Sequence, residues 1–111
     1  MKRGEVYWID VKSDVKHVNV GNRPVLIVSN DKCNQNSPVV TVVPLTSENK
    51  KSMPTHVITY LGNIRNTILC EHIMPANADE ILEQNKICTL SKSTMDKVAI
   101  ALMKQIGIME A

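Results

Sequence analysis

The side chains in this 111-residue chain that could hold an anion or move a proton are few. His17 lies in the polar stretch from Lys12 to Asn22. An imidazole can both accept and donate a proton, which suits acid–base work. Arg23, one of three arginines with Arg3 and Arg65, immediately precedes the apolar run Val25-Leu26-Ile27-Val28. Its guanidinium therefore projects from a rigid base at the mouth of that loop, where planar donors suit a phosphate or carboxylate. Thr46 and Ser47 follow Pro44-Leu45 at the exit of another apolar run; their hydroxyls can donate to an anion but are too weakly acidic to act as bases. Glu71 and His72 follow a third run, and Lys12, Lys16, Lys50 and Lys51 fall in the two long polar stretches near these strings. Each residue also has an ordinary reading: a surface ion pair for Arg23, turn formers for Thr46-Ser47, a satisfied sheet residue for His72. His56, alternating with Val57, reads as a solvent-facing structural histidine.

The elements that must position these groups are mostly strands. Val6 to Ile9, Val25 to Val28, Val39 to Val43, Thr55 to Tyr60 and Thr67 to Ile73 give five strand-like segments before residue 75. Pro38 and Pro44 bound the third, and Pro75 stops the fifth, positions where proline costs no ladder bond. Leu61-Gly62-Asn63 reads as a turn. Such a series argues for an antiparallel barrel or sandwich rather than crossover units. Asp79 to Gln84 suits a helical turn and Lys86 to Leu90 a short last strand. The period then changes: Met95, Val98, Ala99, Leu102, Met103 and Ile106 form one helical stripe, with Ser91 or Ser93 to cap its start and Gly107 to stop it. The whole, residues 1–111, reads as a single mostly β domain with a C-terminal helix.

Composition narrows the class. The 43% apolar and 22% charged fractions are those of a soluble globular protein. No segment approaches the roughly 20 apolar residues of a membrane span, and the N-terminus has no signal core, so a cytoplasmic protein is expected. Cys33, Cys70 and Cys88 are odd in number and widely spaced, which points to reduced core fillers rather than disulfides or structural zinc. Net charge is only +2, but the first 65 residues carry the basic excess and can form an anion-facing surface. With 3% aromatics and no Phe, general single-strand binding by base stacking is disfavoured.

Several strings carry a resemblance. Lys2-Arg3-Gly4-Glu5-Val6-Tyr7-Trp8, Arg23-Pro24-Val25-Leu26-Ile27-Val28-Ser29-Asn30-Asp31, Ser37-Pro38, Pro44-Leu45-Thr46-Ser47 and Pro54-Thr55-His56-Val57 stand in the order and spacing of the MazF/PemK (Kid) toxins. The resemblance implies a small SH3-like barrel of the CcdB/PemK kind and a homodimer that cuts single-stranded RNA without metal or other cofactor. It also implies a cognate MazE/PemI-like antitoxin whose flexible tail blocks the RNA groove. Arg23 falls on the toxins' active-site arginine and Thr46 on their active-site threonine, with His17 as candidate proton acceptor. Asn19, Lys16, Ser47, Lys50, Lys51, Glu71 and His72 are the expected RNA contacts. Metal-free cleavage by 2′-hydroxyl attack needs such a set: an acceptor, a donor, and positive or hydrogen-bonding groups around the phosphorane.

The chain departs from the family pattern at two places. The usual Glu-Gln of the first loop is Val18-Asn19, and after the fifth strand His72 replaces a Gln while Met74 replaces an Arg. A degenerate homologue that only binds antitoxin or operator DNA is one alternative. A gyrase-binding poison of the CcdB kind is another; it would need a terminal Trp-Gly-Ile where this chain has Ile106-Gly107-Ile108.

Overall fold

A computed structural model describes all residues, 1–111. The chain forms β1 (Glu5–Val11), β2 (Gly21–Ile27), a short helix α1 (Asp31–Asn36), β3 (Val39–Thr46), β4 (His56–Leu61), β5 (Ile64–Leu69), β6 (Met74–Asn77), β7 (Lys86–Thr89) and a C-terminal helix α2 (Lys92–Gln105). Two single 3-10 turns, Ala78–Glu80 and Glu83–Asn85, precede β7. The strands lie in the order β4-β5-β3-β2-β1-β7, every pair antiparallel, with β6 added to β3. This is a mostly β half-barrel closed at one side by α2. No helix is long and apolar enough to cross a membrane.

Strand alternation sends successive side chains to opposite faces and so builds two cores from one sheet. Val6, Leu26, Val43, Leu45, Val57, Ile68 and Cys70 face α2, where Met95, Val98 and Ala101 cover them. Tyr7, Val11, Val25, Ile27, Val40 and Val42 form the second core on the other face, capped by Ile81. The β4–β5 hairpin closes through Gly62-Asn63, with Leu61 opposite Ile64. Gly62 has φ +62° and Asn63 does not share the positive φ, the type II′ arrangement whose twist matches a hairpin. Helix α2 starts on the Ser91 side chain, which accepts from the Thr94 N–H. It ends in a Schellman motif: Gly107 at φ +83°, with the Gly107 and Ile108 amides donating to the Lys104 and Met103 carbonyls.

The strand series, the helical turn near Asp79, the last strand and the final helix all agree with expectation, and six details differ. Pro44 lies inside β3 rather than at its end, and it falls where β3 exchanges one neighbour for another, β6 up to Val42 and β5 from Leu45. Pro75 lies inside β6, an edge strand paired only with β3, which tolerates a missing donor. The segment from Thr67 to Ile73 is therefore two elements, β5 ending at Leu69 and β6 beginning at Met74. Helix α1 was not legible as a helix; Asn30 caps it by accepting from Cys33 N–H at 2.8 Å, and Asn34 ties it to the Ser29 carbonyl. Cys33 is exposed on that helix rather than a core filler, and Ile106, past the end of α2, is exposed rather than part of the buried stripe.

Candidate active site

Register builds the site. Val25 on β2 opposes Pro44 on β3, where that ladder ends, and Arg23 and Thr46, each two residues beyond, line one cavity. Thr46 opposes Thr67 on β5, and Thr67 opposes Ile58 on β4. Cross-strand partners point the same way, so Arg23, Thr46 and Thr67 share the face of the second core, at the end where that core stops. Leu69 and His56, another opposed pair, continue the face along the hairpin. Rigid strands thus carry the groups that would hold an anion.

Arg23 is half-buried, and its Nε donates to the Val20 carbonyl at 3.2 Å. No carboxylate pairs with it, since the four ion pairs of the chain join Lys50 to Glu48, His56 to Glu71, Lys86 to Glu5 and Lys92 to Asp96. The ordinary ion-pair reading of Arg23 is thereby removed, and its terminal nitrogens remain for a ligand. Thr46 is only 4% exposed, and its hydroxyl oxygen accepts from the Glu48 N–H at 3.1 Å. The hydroxyl proton stays available as a donor. Ser47 beside it is exposed.

Three connections surround the far part of this face: residues 12–20, 47–55 and 70–73. His17, Lys50, Lys51, Met53, His56, Leu69, Glu71 and His72 line a cavity of about 230 Å³ between them. His17 sits at the third position of a turn closed by Val18 N–H to the Val15 carbonyl, with φ +68°, the conformation that glycine usually takes in a type II turn. Glu71 is held by Thr55, whose hydroxyl donates to Oε1 at 3.3 Å, and by His56, whose Nε2 lies 2.8 Å from Oε2. The other ring nitrogen of His56 is 2.9 Å from the Lys51 carbonyl. His56 therefore does not face solvent as expected; its side chain is 7% exposed and pins the 47–55 loop to Glu71. Next to this pair, His72 Nδ1 is buried without a hydrogen-bond partner.

Burial pushes the Glu71 carboxyl up, but the His56 hydrogen bond, a backbone hydrogen bond and the charges of His56 and His72 outweigh it and hold it below the usual carboxylate range. A carboxyl lowered on folding contributes stability that is complete above its unfolded value and lost as pH falls through the folded one. We expect stability to decline as the medium is acidified below about pH 4.3. Glu71→Gln should flatten that decline in urea midpoints taken from pH 5 to 2. Part of it will persist through Glu5, whose carboxyl is also lowered, against burial, by bonds to Lys86, the Lys2 amide and Tyr7.

The remaining expected contacts are dispersed over the same loops. Lys16 is exposed and borders a further cavity of about 260 Å³ with Val18, Glu71, His72 and Met74. Asn19 is half-buried in the same loop, and Lys50 is paired with Glu48 at 3.2 Å. Val18 and Met74, the two departures from the family pattern, thus line one cavity together. Sequence reasoning missed His56, Thr55 and Thr67 as members of this face. The alternation of β4 carried the signal for His56, but the loop that covers it did not show.

A family model for PemK-like, MazF-like toxins of type II toxin-antitoxin systems matches residues 2–106. The chain belongs to this family. Endoribonuclease EndoA of Bacillus subtilis is 33% identical to it, over 99% of this chain and 97% of that protein. Endoribonuclease MazF of Staphylococcus saprophyticus is 34% identical, over 97% and 92% respectively. Among solved structures, a mycobacterial endoribonuclease in complex with its cognate antitoxin superposes with a TM-score of 0.79 at 26% identity, covering 100% of this chain and 99% of that one. MazF from Deinococcus radiodurans superposes at 0.80 with 20% identity, covering 96% of each, and so shares the fold. The half-barrel and its terminal helix are those of the family, and the match spans both the Arg23-Pro24 and the Thr46-Ser47 strings.

Proposed function

We propose that this family member is the toxin of a type II toxin-antitoxin pair and works as an endoribonuclease on single-stranded RNA. Cleavage proceeds without metal: the 2′-hydroxyl attacks its own phosphate, leaving a 2′,3′-cyclic phosphate and a 5′-hydroxyl. Arg23 and Thr46 hold the phosphate and its developing charge, His17, in the loop over the same face, takes the 2′-hydroxyl proton, and Arg23 is the proton donor to the leaving 5′-oxygen. Asn19, Lys16, Ser47, Lys50, Lys51, Glu71 and His72 contact the RNA on either side. The observation that carries this reading is Arg23 without an acidic partner, lining one cavity with a threonine whose hydroxyl proton is unspent.

The curated relatives named as endoribonucleases support the activity, and the mycobacterial relative seen with its antitoxin supports a MazE/PemI-like partner. We place the protein in the cytoplasm, as a homodimer paired through a face that includes its terminal helix region, where Ile100, Ile106 and Ile108 are exposed, or an edge strand. The test is a long mixed-sequence RNA incubated with purified protein in excess EDTA, its ends mapped by primer extension. Cuts at a shared short motif with 5′-hydroxyl ends are expected. Activity lost in EDTA, or products ending in a 3′-hydroxyl, would contradict the mechanism. No cutting by folded protein would favour the degenerate homologue.

A further inference from the structure

Arg23, Thr46 and Ser47 line a cavity of about 410 Å³ at the strand ends that carry them. Its walls are Trp8, Pro24, Leu45, Leu61, Ile64 and Ile87, with the amides of Asn22 and Asn66 at its polar side. Trp8 opposes Pro24 across β1 and β2, so its indole stands one residue from the Arg23 backbone. A bulge shapes this corner: Val6 pairs with Cys88 and Tyr7 with Lys86, which leaves Ile87 as the extra residue on β7. Bulges bend a strand and re-aim a side chain, and Ile87 is one of the cavity walls. Trp8 remains 43% exposed and Ile64 61% exposed beside it.

We infer that this cavity is a nucleobase subsite, with Trp8 as the stacking surface for the base next to the phosphate that Arg23 and Thr46 hold. An apolar wall gives a phosphate nothing; a flat base joined to that phosphate gains from it, and stacking on an indole tolerates any base. The amides of Asn22 and Asn66 present donors and an acceptor to a base edge, as asparagine does for adenine. Asn66 is held in place by its own bond from Nδ2 to the Ile64 carbonyl at 3.2 Å. The scarcity of rings noted in the sequence argues against a stacking platform for many bases, and one exposed indole serves one. The inference rests on the RNA-cleaving reading above and goes beyond it by naming a residue that positions the substrate.

Trp8 is the only tryptophan, so its emission reports on the subsite alone. The probe is a fluorescein-labelled, mixed-sequence 2′-O-methyl RNA 20-mer, which cannot be cleaved, together with an abasic oligomer of equal length. Anisotropy reads binding and Trp8 emission reads stacking. We expect the base-bearing oligomer to quench Trp8 and the abasic one to leave it unchanged. Trp8→Ala should bind about 5- to 100-fold more weakly, and Trp8→Phe should recover most of that loss. Binding with unaltered Trp8 emission, or Trp8→Ala binding as tightly as the parent, overturns the subsite and leaves the cleavage reading intact. Absence of any binding overturns both. Conversion of a dimer to monomer by Trp8→Ala, read by light scattering, would assign the cavity to a second copy of the chain and overturn the proposal.

Discussion

Arg23→Ala should cut RNA at least about 100-fold more slowly while melting at the same temperature as the parent. The two halves of this expectation have separate causes. Stability should hold because the guanidinium is half-buried and pairs with no carboxylate, so its loss leaves no buried charge alone; only the Val20 carbonyl loses a partner, at the protein surface. Activity should fall because a preorganised donor aimed at developing charge contributes about 10²- to 10³-fold. Arg23→Lys should restore little of it, since an ammonium cannot reproduce the planar fork. Rates of RNA cleavage for the three proteins, with thermal melts alongside, decide the matter. An alanine variant that cuts at the parental rate removes Arg23 from the catalytic role.

Leu26→Ala should produce the largest loss of stability, about 2–5 kcal/mol, by emptying a position at the centre of the core beneath α2. Leu26 is fully buried, opposes Val6 on β1 and Val43 on β3, and belongs to the cluster that Val98 and Ala101 cover. Neighbours on two strands and a helix leave little room for collapse into the space. For a chain of this length the melting temperature should drop by roughly 10–20 °C. A drop of only a few degrees would mean that α2 packs less tightly on the sheet than its buried residues indicate.

What could be read from the residues in advance was what local pattern encodes. The stripe from Met95 onward, the Ser91 cap and the Gly107 stop all depend on neighbours within a turn or two, and all are present. Arg23 and Thr46 were identified from short strings, but their meeting at one cavity depends on how β2 and β3 lie together, which no single segment carries. Helix α1 has no apolar period; it exists because Asn30 and Asn34 bond locally and Ser29 is fixed against Thr41. Pro44 reads as a strand end until the change of neighbour along β3 is known. His56 shows the same limit, since alternation assigns it a face and only the fold puts Glu71 and the 47–55 loop over that face. Val18 and Met74 look like separate losses in the chain, whereas they meet at one cavity, where the exchange is of one polar pair for one apolar pair.

β3 has a role that neither core alone displays. Val40 and Val42 lie in one hydrophobic cluster while Val43 and Leu45 lie in the other, and Thr46 of the candidate site is the next residue. Opening either cluster therefore breaks the same eight-residue strand. The two halves of the interior should therefore unfold as a single cooperative unit, with the Thr46 hydroxyl at the last residue of the strand they share.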